Sequence, residues 1–256
     1  MEAKSKRFLE CLGVIAETRV IALVGAGGKT ALMYALAGEI RREGRTVVTT
    51  TTTKIFPPRP DQAPHLILLK DDPTLASLPG RLLECGHVTV GKSVLLPAEK
   101  VEGVDEEILD LCRNAADHVL VEADGAAGRP VKAPEDWEPV VPQHAELVVY
   151  LVGLDCLGKP MTDNWVFRSA RFAQITGLTA GKIIRPRDIA RLVTHPEGGL
   201  KHVPAPAALV PFLNKQDLVS SSQVIEETVK EILTRAGGRI SRVVSGSVIG
   251  STCTAY

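Results

Sequence analysis

An apolar run leads directly into a glycine-rich loop near the start of the chain. Residues 20–24 read Val-Ile-Ala-Leu-Val, and residues 25–30 read Gly-Ala-Gly-Gly-Lys-Thr. This order predicts a buried strand, a tight loop and a helix that begins near Lys29. Such a junction points backbone N–H groups and a helix N-terminus at one place, which suits an anionic phosphate. The segment therefore favours an α/β fold built around a phosphate-binding loop.

Each residue type in this loop has a role that its chemistry suggests. The backbone around the phosphates would come from Gly25, Ala26, Gly27 and Gly28. Glycine lets the backbone approach an anion because no Cβ stands in the way. Lys29 would place its charge on the outer phosphates, and Thr30 would offer its hydroxyl to Mg²⁺. The loop thus predicts a site for GTP or ATP together with a magnesium ion.

The loop is shorter than the common Gly-x-x-x-x-Gly-Lys-Thr form, because Leu23 stands where the first glycine is expected. Its Gly-x-x-Gly-Lys-Thr spacing resembles the phosphate loop of the Mur ligases. A dinucleotide-binding loop is a rival interpretation, which requires a glycine at the place of Thr30 and an acidic residue about 20 positions later. That later stretch is a run of threonines at residues 49–53 instead. A glycine turn without a ligand is the remaining alternative.

Apolar runs and helical patterns alternate along most of the chain. We predict strands at residues 20–24, 46–51, 65–69, 87–90, 117–123, 146–152, 207–213 and 240–244, and helices at residues 5–16, 29–43, 104–115, 163–175, 186–193 and 221–235. This alternation favours a P-loop NTPase-like α/β fold with a mostly parallel sheet and helices on both faces. We expect residues 1–256 to form a single domain, with an irregular excursion rich in Pro and Gly at about residues 125–145.

Two acidic residues lie at the end of the predicted strand at residues 117–123. Strand alternation would place Glu122 and Asp124 on the same face. In phosphate-loop enzymes an acid at this position binds magnesium or orients the attacking water. We predict that Asp124 joins Thr30 at the metal, and that Glu122 acts as a base or supports the metal site. With Lys29, these two acids form the candidate catalytic set; a solvated turn without a ligand is the alternative.

A second motif, Asn214-Lys215-Gln216-Asp217, follows the apolar run that ends near residue 213. It resembles the guanine-recognition motif of GTPases, in which a carboxylate accepts hydrogen bonds from two donors on the base. Adenine lacks that pair of donors, so it would leave the charge of Asp217 unpaired. Asn214 would hold the loop, Lys215 would lie along the base, and Ser245 would start a further loop beside it. A helix-capping turn is the alternative interpretation.

Composition excludes several classes of protein. Lys plus Arg and Asp plus Glu number 30 each, so the formal net charge of zero argues against bulk binding to nucleic acid or to a membrane surface. No apolar run is long enough for a membrane span, and we expect a cytoplasmic protein. The five cysteines are scattered and the six histidines lack ligand spacing, which predicts neither a disulfide framework nor a zinc cluster.

The motifs in combination resemble the YqeC family, accessory proteins of selenium-dependent molybdenum hydroxylases. Besides the glycine loop and Asn-Lys-Gln-Asp, the resemblance is carried by Thr-Thr-Thr-Thr-Lys, Val-Glu-Ala-Asp-Gly-Ala-Ala-Gly-Arg-Pro-Val-Lys-Ala-Pro, Glu-Pro-Val-Val-Pro and His-Pro-Glu-Gly-Gly-Leu-Lys. It covers roughly residues 15–245. The resemblance implies a role in the maturation of a molybdenum hydroxylase or of its cofactor, with such proteins as partners. It implies a pathway and no particular reaction.

Three classes of function therefore remain open on the sequence. The first is a Mg²⁺-dependent NTP hydrolase with a preference for GTP. The second is an ATP-dependent kinase or ligase that activates a small molecule, as the Mur-like loop suggests. The third is a nucleotide-gated chaperone without catalytic activity. All three use the same phosphate loop, so the loop itself does not distinguish them.

Overall fold

A nine-stranded sheet forms the centre of the computed structural model, which describes residues 7–256. The strands are β1 (Val20–Gly25), β2 (Val47–Thr51), β3 (Lys54–Ile55), β4 (His65–Leu68), β5 (His87–Gly91), β6 (Val94–Leu95), β7 (Lys100–Glu102), β8 (His118–Glu122), β9 (Val131–Lys132), β10 (Leu147–Gly153), β11 (Val166–Phe167), β12 (Ala208–Asn214), β13 (Val244–Ser247) and β14 (Thr252–Ala255). The helices are α1 (Phe8–Leu12), α2 (Lys29–Arg42), α3 (Leu78–Cys85), α4 (Glu106–Ala115), α5 (Ser169–Thr176), α6 (Pro186–Thr194) and α7 (Ser222–Arg235). Short 3-10 turns occupy Leu154–Cys156 and Gln216–Leu218.

The order of strands places β1 near the middle of the sheet. Across the sheet the order is β14-β13-β12-β10-β1-β8-β2-β5-β4, and neighbouring strands run parallel except for the antiparallel pair β13 and β14. The predicted mostly parallel α/β sheet is therefore confirmed, and it is consistent with a P-loop NTPase-like fold. Because parallel strands end at the same edge, the loops that follow β1, β8, β10 and β12 meet on one side of the sheet.

Both faces of the sheet are covered, as the continuous apolar runs predict. Along β1, Val20, Ala22 and Val24 point into one buried cluster, which also contains core residues of α3, α4, α5, α6 and α7. The alternating residues Ile21 and Leu23 point into a second cluster, which contains core residues of α1 and α2. The central strand thus separates two cores, and this burial holds its carboxyl end in a fixed position.

The threonine run at the end of β2 joins adjacent strands. The Oγ1 atom of Thr50 donates to the carbonyl of Val90 at 2.8 Å, and that of Thr51 donates to the carbonyl of Glu122 at 2.6 Å. Thr49 pairs with the side chains of β5. These buried hydroxyls are satisfied within the sheet, so they serve its cohesion.

Some predicted elements differ from the observed ones. The prediction of a strand at residues 240–244 is wrong, because the strand begins only at Val244 and continues through Ser247. Ile240 and Val243 are buried, but they pack against the core without belonging to a strand. The helix predicted at residues 5–16 is observed at Phe8–Leu12 and ends at Gly13 in the left-handed conformation, while positions 5 and 6 lie outside the described residues.

Two further differences have clear local causes. The helix predicted at residues 163–175 begins only at Ser169, because residues 166–167 pair with β9 as strand β11. The helix α3 was not predicted, since its Pro and Gly weaken the helical pattern. The scattered cysteines predicted no disulfide framework, and one isolated disulfide joins Cys11 of α1 to Cys253 of β14, 242 residues apart in the sequence. Within residues 7–256, no helix combines the length and the apolar composition that a membrane span requires.

Candidate functional site

The glycine loop after β1 is packed tightly against its neighbours. Gly27 and Gly28 have φ values of 89° and 124°, which side chains other than glycine rarely adopt. A Cβ on Gly27 would lie 2.3 Å from the backbone nitrogen of Gly153, and one on Gly28 would lie 2.5 Å from Nδ2 of Asn214. The glycines are therefore required by the close approach of β10 and β12 as well as by the backbone conformation.

The loop continues into α2 with several backbone donors directed at a single region. The first backbone hydrogen bond of α2 runs from the N–H of Leu32 to the carbonyl of Gly28, at 3.0 Å. The N–H groups of Lys29, Thr30 and Ala31 precede it and have no helical carbonyl available to them. These residues line one cavity, so the helix N-terminus faces open space that an anion can enter.

Lys29 lies between the loop and two carboxylates. Its Nζ donates to the carbonyl of Gly25 at 2.7 Å and lies 3.1 Å from Oδ1 of Asp124 and 3.8 Å from Oε1 of Glu122. Only 4% of the lysine is exposed. The carboxylates thus hold the ammonium group at the base of the loop, where an entering phosphate would compete for it.

Asp124 is a buried bridge between two segments. One of its oxygens, Oδ2, accepts a hydrogen bond from the N–H of Gly25 at 3.0 Å and lies 3.0 Å from Nζ of Lys132. Lys132 also donates to the carbonyl of Gly125 at 2.6 Å and pairs with Glu138 at 2.8 Å. The charge of Asp124 is therefore shared by two lysines, and the carboxylate links the glycine loop to the excursion at residues 125–145.

Glu122 occupies a different position from Asp124. It is the last residue of β8 and pairs in register with Leu23 of β1. Its Oε2 atom accepts a hydrogen bond from Oγ1 of Thr30 at 2.6 Å. Burial raises the pKa of this carboxyl above its usual value, while the Lys29 charge and the Thr30 hydrogen bond oppose the increase. Glu122 and Thr30 are thus adjacent oxygen groups at the edge of the cavity.

Asn214 connects three loops at the other side of β1. Its Nδ2 donates to the carbonyl of Gly27 at 2.7 Å, and its Oδ1 accepts from the N–H of Val248 at 3.1 Å. The side chain is almost fully buried, with 4% exposed. The next residue, Lys215, pairs with Asp155 at 2.7 Å and lines the same cavity as the glycine loop. This motif therefore holds the glycine loop in place from the side of β12.

Asp217 and Ser245 do not reach the cavity at the glycine loop. Asp217 is exposed and lines a separate cavity of about 540 Å³, together with Gln216, Ser247 and Tyr256. Ser245 is buried and donates to Oε1 of Gln216 at 2.9 Å, so it supports this second wall. The structure thus brings Asn214 and Lys215 to the glycine loop and leaves Asp217 at the separate cavity.

The cavity at the glycine loop has a volume of about 640 Å³ and an excess of positive charge. Among its described lining residues, Glu122 is the one carboxylate, and the cationic side chains are those of Lys29, Lys54, Lys100, Arg129 and Lys215. Within residues 7–256, no cluster of three His, Cys, Asp or Glu side chains is placed to hold a metal ion. A divalent ion here would need oxygens from its ligand in addition to Thr30 and Glu122, which is the usual arrangement for Mg²⁺ with phosphates.

The network around Lys132 was missed by the sequence interpretation. Lys132 is 1% exposed, and its partner Glu138 is also paired with Arg168 of the segment before α5. One signal was present, because Lys132 stands between Val131 and Ala133 in an otherwise apolar stretch. A charged residue in such a stretch is expected to be paired when buried.

Comparisons with known proteins identify one group of relatives. A family model described as "YqeC protein" matches residues 21–170. The protein named "Uncharacterized protein YqeC" from Escherichia coli (strain K12) is 34% identical over 223 residues, which cover 84% of this chain and 84% of that protein. The matched region includes the glycine loop, both acidic residues and the excursion.

Replacing Asn214 with alanine is expected to loosen the glycine loop. The change leaves the carbonyl of Gly27 and the N–H of Val248 without their partner, which costs about 1–3 kcal/mol for a buried polar group. Urea unfolding would measure the loss of stability as a lower midpoint of the unfolding transition. The exposed Asn164 provides the control, since Asn164→Ala should leave the midpoint of urea unfolding unchanged. An unchanged midpoint for Asn214→Ala would contradict this role.

Replacing Glu122 with glutamine is expected to stabilise the protein at neutral pH. Because burial raises the pKa of Glu122, the folded state carries a cost for the ionised form, and this cost disappears as the pH falls below the carboxyl's usual pKa of 4.5. Glutamine resembles the protonated form and avoids the cost. The melting temperature should rise by about 2–4 °C for each kcal/mol relieved, and the difference should vanish near pH 4.

The exposed Glu227 of α7 is the matched control for this substitution, because Glu227→Gln changes the same group in solvent. Thermal unfolding of both variants at several pH values separates a local effect from a change in net charge. A Glu122→Gln variant that is less stable than the wild type at neutral pH would show that the ionised carboxylate contributes net stability there.

Proposed function

The chain belongs to the YqeC family, and we propose that it is a Mg²⁺-dependent nucleoside triphosphate-binding protein with a GTPase-like hydrolase activity. One observation carries the proposal: Lys29, Thr30 and Glu122 meet at a glycine loop whose cavity is rich in positive charge. A cavity of about 640 Å³ suits a small ligand, since such sites typically measure about 300–1,000 Å³. The excess of cations suits a polyanion such as a triphosphate.

The loop would bind the phosphates through three kinds of contact. The free N–H groups at the start of α2 would donate to phosphate oxygens, with the helix dipole adding a favourable field. Lys29 would transfer its hydrogen bonds from Gly25 and Asp124 to the outer phosphates. Asp124 would then act as a positioning residue, because it holds both the N–H of Gly25 and the approach of Lys29.

The residues beside the loop fit a magnesium ion. Thr30 and Glu122 offer a hydroxyl and a carboxylate in direct contact, which are the hard oxygen groups that Mg²⁺ prefers. When bound, the ion would neutralise charge on the outer phosphates. The hydroxyl of Thr30 contacts Glu122 and not Asp124, so the geometry favours Glu122 over the predicted Asp124 as the acidic partner of the metal.

Guanine is the base that we propose, on the basis of the Asn-Lys-Gln-Asp motif. Lys215 lines the phosphate cavity and Asp217 lines the separate one, so a nucleotide that passes Lys215 could present its base to the exposed carboxylate. The wall of that separate cavity includes Tyr256 and Ile225, which provide apolar surface for a ring. On the family resemblance alone, we further propose that turnover assists the maturation of a selenium-dependent molybdenum hydroxylase or of its cofactor.

The variant Lys29→Ala tests the phosphate site. The variant lacks the charge-assisted hydrogen bond between Lys29 and the phosphates, which contributes about 1.5–3 kcal/mol. We therefore expect the nucleotide affinity to be lower by about 10–100-fold. Isothermal titration with GTP and with ATP, each with Mg²⁺, would measure this loss. Lys230→Ala removes an exposed lysine from α7 and serves as the control. Unchanged affinity in Lys29→Ala would refute the proposed function.

The variant Asp217→Asn tests the identity of the base. If Asp217 accepts hydrogen bonds from guanine, the variant should lose its preference for GTP and gain affinity for xanthosine triphosphate, whose base presents an acceptor where guanine has a donor. Asp110→Asn on the surface of α4 is the matched control. An ATP preference, or equal binding that the variant leaves unchanged, would assign the motif to a structural turn and favour an ATP-dependent kinase or ligase.

A further inference from the structure

A second cavity of about 610 Å³ opens beside the phosphate cavity. The two cavities share three lining residues, namely Lys54, Lys100 and Gly125. The remaining wall of the second cavity is formed by Thr52, Thr53, Glu102, Gly103, Trp137, Glu138 and Val140. Because the shared residues form the junction, a ligand in one cavity would lie next to a ligand in the other.

The sheet order locates this second cavity relative to the phosphate loop. From β1, the Asn214 motif lies in the direction of β12, whereas Thr52, Thr53 and Lys54 follow β2 on the opposite side. Glu122 ends β8, which stands between β1 and β2. The second cavity therefore adjoins the side of Thr30 and Glu122, where the proposed magnesium and terminal phosphate would bind, and lies away from the side proposed for the base.

Neither cation at the junction, Lys54 or Lys100, lies within ion-pair distance of a carboxylate among the residues that the structure describes, although the charge of Lys100 is near enough to Glu122 to oppose the rise in the pKa of that carboxyl. The Nζ atom of Lys100 instead lies over the ring of Phe56, 4.9 Å from its centre. By contrast, Glu138 in the same wall is paired with Lys132 and Arg168. Two unpaired ammonium groups at a junction favour a ligand that carries negative charge there.

The outer wall offers an aromatic surface. Trp137 is 69% exposed, although it is a large apolar side chain next to a cavity. Its position is held by its neighbour Glu138, which Lys132 and Arg168 anchor. The guanidinium carbon of Arg168 lies 5.7 Å from the centre of the indole. An exposed ring on a fixed backbone is suited to stack against a planar group.

We propose that the second cavity is the binding site of a second small ligand, a planar aromatic or heteroaromatic anion. Its ring stacks on Trp137, and its anionic group contacts Lys54 and Lys100 at the junction. That this ligand lies beside a terminal phosphate rests on the proposed function of the first cavity. That the protein binds planar anions rests on the second cavity alone. The site thus gives the protein a small-molecule co-ligand in addition to a nucleotide.

A fluorescent methoxycoumarin carboxylate is a suitable probe, since it is planar, aromatic and anionic. We expect saturable binding by fluorescence anisotropy, and binding at least about tenfold weaker for Trp137→Ala and for Lys100→Ala, in line with the stabilisation that aromatic stacking provides. Trp165→Phe and Lys230→Ala are matched controls, because Trp165 lines another cavity and Lys230 lies on α7. The uncharged carboxamide of the probe should bind at least about tenfold more weakly than the carboxylate.

Three results would overturn this assignment: no saturable binding, equal binding to Trp137→Ala, or equal binding of the carboxamide. Competition with guanylyl imidodiphosphate and Mg²⁺ adds a further test. Simultaneous binding of both ligands supports two adjoining sites, whereas displacement of the probe places it in the phosphate cavity and overturns the proposal. Lys29→Ala separates the two proposals, since it should impair binding of the nucleotide analogue and leave binding of the probe intact.

Discussion

The buried carboxylate of Asp124 is the contact on which the arrangement of this site depends. It accepts a hydrogen bond from the N–H of Gly25 and lies between Lys29 and Lys132, so it joins the glycine loop to the excursion at residues 125–145. Removing the lysines would leave the buried carboxylate with an uncompensated charge, which is strongly unfavourable. The positions of Gly25, Lys29 and Lys132 therefore depend on one another through Asp124. The loop, the lysine of α2 and the segment that carries Glu138 therefore form one electrostatic unit.

The sheet gives this unit its rigid support. The alternating side chains of β1 are buried in two separate cores, and the loops that follow β8, β10 and β12 are aligned at the same edge. Asn214 adds a second attachment from β12, through the carbonyl of Gly27 and the N–H of Val248. The cavity at the glycine loop and the cavity bordered by Trp137 lie side by side along this edge and share the lining residues Lys54, Lys100 and Gly125.

Local sequence signals account for the elements but only in part for the contacts between them. The glycine loop, its helix and the parallel sheet follow from apolar periodicity and from the Gly-Lys-Thr sequence, which act over a few residues. The contact of Thr30 with Glu122 depends on the register between β1 and β8, which no local pattern specifies. For the same reason the pairs Lys132–Glu138 and Cys11–Cys253 were not foreseen. The strand β13 was misplaced because Ser and Gly carry little apolar signal.

The ion pairs around the loop also have a consequence for charge balance. Within the described chain they join the carboxylates of Glu122, Asp124, Glu135 and Glu138 to the cations Lys29, Lys132 and Arg168, so four carboxylates face three cations. If Lys29 turned towards an incoming polyanion, the remaining set would carry a larger net negative charge next to further negative charge. A divalent cation that arrives with the polyanion would offset this charge, so this arrangement admits the two as a pair more readily than it admits the polyanion alone.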